Sequence, residues 1–320
     1  MKTRENSILS AGIDTGKHKL DVAIHGTAKS FVVENSPNGW QSLAARFAAA
    51  GVNRIGIEAT GGYERGVTRH LQAQGFTVLV LQPLQVRAFA QLRLQRAKND
   101  RIDAGLIAAC VHLLDPSNKL PPEPRFDALA DHLTFLEQIE DDITRIKTRL
   151  EHIHDPRLRR IADADCKRLE QRCERETARL LAELRAHADL ARRFDLVCSI
   201  PGCGERTALS IVIRMPELGQ LGREQVAAIA GLAPFVHQSG KYAGETHIGG
   251  GRSRLRRALY SAALPAAFHW NQPLMALYRR LRDRGKTHSC ALIACARKLL
   301  IYANAVVERG SPWESRPAPG

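Results

Sequence analysis

Residues 8–14 read Ile8-Leu9-Ser10-Ala11-Gly12-Ile13-Asp14, and residues 54–58 read Arg54-Ile55-Gly56-Ile57-Glu58. Each is a short apolar run that closes on an acid. Between them, residues 20–25 and 31–33 are two more strand-like runs, near enough to the first to form a meander. Ser36-Pro37 then opens a helix, with serine as cap and proline in the first turn, and Gly51 stops it after Ala50. Beyond Glu58 the pattern predicts a helix over about 63–74 that stops at Gly75, a fifth strand over 77–81, and a helix over 100–114.

Three strands in a meander followed by alternating helices and strands is the order of an RNase H-like fold, which predicts an α/β domain over residues 1–120. The acids give that order its chemistry. Asp14 and Glu58 end the first and fourth strands, which are neighbours in such a sheet. Asp100 and Asp103, in Lys98-Asn99-Asp100-Arg101-Ile102-Asp103, are three apart and share one face of the last helix, which packs across those strands. Taken singly, an aspartate at a strand end is an ordinary turn or cap residue. Taken together, the four would converge, and carboxylates held that close repel one another unless cations sit between them. Two Mg²⁺ (or Mn²⁺) ions about 4 Å apart would satisfy the cluster and clamp a phosphodiester.

The bulk composition agrees with a polyanionic partner. The 320 residues carry a formal charge of +14 and 25% charged side chains, against 44% apolar ones. The charge is concentrated: from Lys241 to Lys298 there are twelve Lys and Arg against two acids. A second basic stretch, with Arg87, Arg93, Arg96 and Lys98 and no acid, lies directly before Asp100. Aromatics make up only 5% of the chain, which argues against rows of stacked rings for single-strand binding. No membrane segment is expected, because the apolar stretch 290–307 is broken by Arg297 and Lys298. No secretory signal is expected either, since residues 1–7 are mostly polar. The seven cysteines contain no CxxC pair and no zinc spacing, which predicts free thiols in a reducing cytoplasm.

Pro121-Pro122-Glu123-Pro124 marks a linker. After it, Leu136, Ile139, Ile143, Ile146, Leu150 and Ile153 follow a three-four spacing, a coiled-coil seam broken at His154-Asp155-Pro156. A second helical stretch runs to about Arg193, with Leu158, Ile161, Leu169, Cys173, Leu180 and Leu184 inward. The expected geometry is an antiparallel hairpin over 125–195, which could serve assembly, reach for nucleic acid, or prop its own chain. A mainly helical domain comes next over 196–308, then a tail over 309–320 that its three prolines predict to be disordered. Within that domain, Ile200-Pro201-Gly202-Cys203-Gly204 reads as the turn of a helix-hairpin-helix, whose free N–H groups around Gly202 and Gly204 could hold a phosphate, or as a plain connection. Ser239 sits between a flexible loop and the basic segment that carries Lys241, Arg252, Arg254, Arg256 and Arg257. A hydroxyl needs a base or a metal to become a nucleophile, and no Ser-His-Asp arrangement is legible there.

These motifs together resemble the DEDD-type insertion-sequence transposases related to the Piv and MooV DNA invertases. The resemblance rests on Gly-Ile-Asp at 12–14, Ile-Glu-Ala-Thr-Gly-Gly-Tyr at 57–63, Lys-Asn-Asp-Arg-Ile-Asp-Ala at 98–104, Ile-Pro-Gly-Cys-Gly at 200–204, Gly-Leu-Ala-Pro at 231–234, Gln-Ser-Gly-Lys at 238–241 and Leu-Arg-Arg-Ala-Leu at 255–259. It departs at Gly249-Gly250-Gly251, where relatives commonly carry a basic residue. It implies a RuvC-like catalytic domain with metal ligands matching Asp14, Glu58, Asp100 and Asp103, a coiled-coil insertion used in assembly, and a C-terminal domain whose nucleophilic serine matches Ser239. It further implies DNA as substrate, a structured bridge RNA as guide, and dimers that build tetramers. Two other classes remain: a RuvC-like nuclease that uses water, and a nucleic-acid-binding protein without catalysis.

Overall fold

The computed structural model describes residues 9–27, 30–93, 100–114, 123–235, 238–239, 242–243 and 247–314. They fall into two compact units, Met1–Pro121 and Pro122–Gly320.

The first unit runs β1 (Leu9–Thr15), β2 (Lys19–Ile24), β3 (Ser30–Glu34), α1 (Pro37–Ala50), β4 (Val52–Glu58), α2 (Glu64–Ala73), β5 (Thr77–Leu81), α3 (Pro83–Leu92) and α4 (Asp100–Leu113). One five-stranded sheet has the order β3-β2-β1-β4-β5. The β1–β2 and β2–β3 pairs are antiparallel, while β1–β4 and β4–β5 are parallel, which is the RNase H-like arrangement. The caps of α1 are as expected: Ser36 accepts from the Gly39 N–H, and Gly51 takes the left-handed conformation. The helix α3 is an addition to the sequence reading, which saw only the basic charges of that segment.

Strand alternation sorts the sheet into two faces. Ala11, Ile13, Leu20, Val22, Ile55 and Ile57 pack with Leu43 and Phe47 of α1 and Val67 and Leu71 of α2. The opposite face carries Gly12 and Gly56, which lets α4 lie directly on the strands. A Cβ at Gly12 would stand 2.2 Å from the Ala104 carbonyl oxygen, and one at Gly56 2.9 Å from the Ile107 side chain.

The second unit opens with α5 (Pro124–Leu150) and α6 (Pro156–Arg185). Asp155 caps α6 by accepting from the Arg157 and Leu158 N–H groups, with Pro156 at its first position. The two helices are antiparallel, since Lys147 meets Glu170 while His132 meets Glu176 and Glu183. Two expectations change here. The second stretch does not run unbroken to Arg193: it ends at Arg185, and α7 (Ala188–Cys198) begins anew. Leu158 and Ile161, expected inward, are 46% and 51% exposed, because a two-helix ribbon has no third layer near its tip.

Then come α8 (Glu205–Arg214), α9 (Arg223–Ile229), the two-residue strands β6 (Pro234–Phe235), β7 (Gln238–Ser239), β8 (Tyr242–Ala243) and β9 (His247–Ile248), α10 (Ser253–Pro265), a π-helical turn (Ala266–Trp270), α11 (Gln272–Asp283) and α12 (His288–Arg309). Phe126, Leu133 and Leu136 of α5 and Leu180 and Leu184 of α6 share a core with these helices, so no break in packing separates the hairpin from α7–α12. Among the described residues, α12 alone is long and apolar enough to cross a bilayer by composition, and half of that window is buried in the unit. The start of the tail is docked: the Trp313 N–H donates to the Ser199 Oγ at 2.8 Å, and its ring lies 4.5 Å from that of Tyr302. Residues 315–320, the rest of the expected disordered tail, lie outside the described residues.

Candidate active site

The register of the sheet brings the acids together. Gly12 pairs with Gly56 and Ile13 with Ile57 across two parallel strands, so Asp14 and Glu58 stand side by side at the same end. Both fall on the face that Gly12 and Gly56 open to α4. That helix runs antiparallel to β1: Ser10 lies against its end, with its Oγ 3.3 Å from the His112 Nδ1, while Gly12 lies against Ala104 and Ala108. Two residues further along the strand, Asp14 therefore approaches the start of α4, where Asp100 and Asp103 are. Asp100 is described by its backbone alone.

Sequence reasoning missed three residues here. Asp21 pairs directly with Asp14 across β1–β2, so it shares the same face. It is 6% exposed and holds Lys19 at 2.9 Å. Glu64 grips the loop after Glu58: its Oε2 accepts from the Thr60 N–H and hydroxyl at 3.1 Å each and from the Gly62 N–H at 2.8 Å. Asn35 ties the loops after both acids together, donating to the Gly16 carbonyl at 2.9 Å and the Tyr63 carbonyl at 3.2 Å while Trp40 donates to its Oδ1 at 2.8 Å. The signal for Glu64 was visible, an acid two residues after a double glycine, but nothing in the sequence says which loop it closes.

The basic residues fare unevenly. Arg87 on α3 and Arg93 at its end are exposed, whereas Arg96 and Lys98 lie outside the described residues. In the second unit, Arg252 makes two hydrogen bonds to Glu217 at 2.7 and 2.8 Å. Arg254 donates to Glu137 at 2.5 Å, and Arg214 donates to the same carboxylate at 2.9 Å. Arg256 donates to the Gly250 carbonyl at 2.6 Å, and Arg257 stands 3.9 Å from Asp141. The Gly249–Gly251 stretch has a structural reason: a Cβ on Gly251 would stand 2.4 Å from the Gly231 nitrogen, so two motifs of the sequence lie back to back.

The expected hairpin turn joins α7 to α8. Gly202 adopts φ +93° and leaves no room for a side chain, since a Cβ there would meet the Ala266 Cβ at 2.4 Å. Gly204 is the N-cap of α8. Ser239 pairs with Tyr242 across β7–β8 and is described by its backbone alone, and Lys241 lies outside the described residues. The acids belong to the first unit and Ser239 to the second.

Residues 11–155 match the family described as the DEDD transposase of IS110. Residues 194–279 match the transposase family IS116/IS110/IS902. The chain belongs to this transposase family. Two curated relatives share its full span: the pilin gene-inverting proteins of Moraxella bovis and Moraxella lacunata, each 26% identical over 314 residues, 95% of this chain and 97% of theirs. A protein of insertion element IS110 from Streptomyces coelicolor is 33% identical over 143 residues, 44% of this chain and 35% of its own length. Among solved structures, Thermus thermophilus RuvC in complex with a Holliday junction substrate is similar at a TM-score of 0.26 and 18% identity, covering 32% of this chain and 92% of that one.

The transposase is an enzyme of DNA recombination, and its family implies a divalent metal. The donor set fits such an ion: hard carboxylate oxygens on rigid strand ends beside a helix start suit Mg²⁺ or Mn²⁺. As the side chains stand, no three metal-ligating groups among the described residues are drawn together closely enough to hold one. None of the seven cysteines forms a disulfide, and burial pushes Cys203, in the hairpin turn, up to about 12 and Cys198 to about 11, so both stay protonated and poorly nucleophilic.

Proposed function

We propose that this transposase cuts and rejoins DNA strands at the ends of a mobile element, with Asp14, Glu58, Asp100 and Asp103 as ligands of Mg²⁺ or Mn²⁺ and Ser239 as the nucleophile. The observation that carries this reading is the β1–β4 register, which sets Asp14 beside Glu58 on the face covered by α4. When bound, the ion would neutralise the phosphate and lower the hydroxyl's pKa. Ser239 would attack the phosphorus, forming a serine phosphodiester and releasing a deoxyribose hydroxyl, which takes up the proton. A hydroxyl of the new partner strand then attacks that ester and restores Ser239. The broken bond is conserved as another phosphodiester, so rejoining needs no ATP. The relatives named for inverting a pilin gene support a reaction that ends in rejoined DNA rather than in hydrolysis.

Assembly into a dimer or tetramer is part of the proposal, as is a structured guide RNA that selects the DNA. Gly202, Gly204 and the arginines of the second unit would hold backbones, and the reaction would take place in the cytoplasm, on the nucleoid. The test is to stall the reaction on a nicked substrate and look for a protein–DNA adduct by denaturing gel and mass spectrometry. An adduct mapped to Ser239 and absent from Ser239→Ala is expected. Recombination by Ser239→Ala at the normal rate would transfer the reaction to a water nucleophile.

A further inference from the structure

In the second unit two cavities open beside one another. One, of about 270 Å³, is lined by Arg206, Ser210, Arg254 and Arg257, among others. The other, of about 600 Å³, is lined by Pro201, Gly202, Gly204 and Trp270, among others. Thr207 and Ser261 border both, so the two form one track that runs from the arginines of α8 and α10 to the hairpin turn.

The two ends of the track are chemically distinct. At the arginine end, Ser210 is 3% exposed and its hydroxyl has no hydrogen-bond partner among the described residues. The Arg206 Nη1 is also unpartnered there, although Nε and Nη2 of the same guanidinium hold Glu140 at 2.9 and 2.7 Å. A buried hydroxyl and a guanidinium N–H left without acceptors in one cleft are donors waiting for an anion. Glu137, Glu140 and Asp141 line the same cleft and balance its three arginines, while Arg214 adds a further cation on Glu137. Arg257, at 3.9 Å from Asp141, is the arginine most easily transferred to an incoming phosphate.

At the other end, Trp270 is 66% exposed, with Phe268 also open to solvent. Its mount is rigid. Trp270 ends the π-helical turn, and the next residue, Asn271, is buried. Asn271 donates to the Pro201 carbonyl at 3.1 Å, accepts from the Leu274 N–H at 3.2 Å, and donates its own N–H to the Ala266 carbonyl at 2.9 Å. A large aromatic ring fixed beside a cavity and left uncovered is a stacking platform for a base. A scarcity of aromatics excludes a row of such platforms but not a single one.

We infer that this track binds an unpaired nucleic-acid strand, with one base stacked on Trp270 and the phosphodiester backbone passing Thr207 and Ser261 to Arg206, Ser210 and Arg257. The inference rests on the reading of the chain as a DNA-processing protein and adds where an unpaired segment is held. A duplex cannot use the platform, because its bases already stack on one another.

The test titrates the full-length protein with a labelled 12-nucleotide RNA, the DNA of the same sequence, and the corresponding DNA duplex. Trp270→Ala is expected to weaken binding of at least one single strand by roughly 5- to 150-fold while leaving the duplex within twofold. Trp270→Phe should keep most of the affinity but lose the oligonucleotide-dependent quenching of tryptophan fluorescence. Arg257→Gln and Ser210→Ala should each weaken the same strand several-fold without lowering the melting temperature. A larger loss on RNA or on DNA identifies the sugar, and either supports the track. Equal losses on single strand and duplex, or no loss on either strand with Trp270→Ala, overturn it. If the unaltered protein fails to cut and rejoin DNA while Trp270→Ala loses the single strand, the track stands and the transposition reading falls.

Discussion

The two units handle charge in opposite ways. In the first, Asp14 and Glu58 are placed by backbone register on adjacent strands, and the loops behind them are clamped by Asn35 and Glu64. In the second, charge is abundant and part of it is spent on the protein itself: Arg252, Arg254 and Arg256 all have acceptors within the unit. A dense cationic segment is therefore not the same as a free cationic surface. Arg252 and Arg254 fasten the start of α10 to Glu217 and to Glu137 of α5, and Arg257 is left with the weakest partner.

The sharpest way to break this contrast is Asp14→Asn. Loss of a metal ligand removes several kcal/mol of transition-state stabilisation, so strand transfer should fall at least about a thousandfold, as it should with EDTA. Nucleic-acid binding and the melting temperature should change little. Normal recombination by this variant in EDTA would remove the carboxylates from the mechanism. Next in size is Gly12→Val, whose side chain would drive α4 off the sheet and cost about 1–3 kcal/mol, read as a lower melting temperature together with lost activity. Glu64→Ala leaves the Thr60 and Gly62 N–H groups without their acceptor and should cost about 2 kcal/mol. It should lower kcat more than it raises the Kd for DNA, because the loop it clamps follows Glu58.

A pair of arginine variants sharpens the comparison further. Arg252→Gln should destabilise the protein by about 1–3 kcal/mol and hardly move the salt dependence of binding. Arg257→Gln should do the reverse, lowering the slope of log affinity against log salt by about 0.7 for a single strand. The smallest effect is on pH. Burial raises the Glu217 carboxyl, but the Arg252 hydrogen bonds and charge outweigh it and leave its pKa lowered. A depressed folded-state pKa contributes stability above the ordinary glutamate value that is lost as pH falls through the folded one. The melting temperature of the unaltered protein should thus exceed that of Arg252→Gln at neutral pH, and the gap should close below about pH 4.

Much of the first unit was legible because its signals are local. Ser36, Pro37 and Gly51 bound α1 by capping chemistry that needs no tertiary partner, and β5 falls on residues 77–81 as its apolar run predicts. Asp21 escaped notice because an acid inside an apolar strand gives no local sign that Asp14 lies across from it; only the β1–β2 register says so. Leu158 and Ile161 were misread for the converse reason. Seam spacing is a property of one helix, whereas burial depends on how far its neighbours extend.

The sequence by itself determined the succession of the five strands of the first unit, the acids at the strand ends, the break at Asp155-Pro156 and the family motifs. All of these arise from propensities, caps and spacings within a few residues. Only the tertiary structure decided which face of the sheet carries the acids, which loops Glu64 and Asn35 bind, and which arginines already have partners. Those outcomes depend on residues far apart in the chain: Gly12 meets Ala104 and Arg254 meets Glu137 because helices pack where side chains allow, and that fit is not encoded within any one segment.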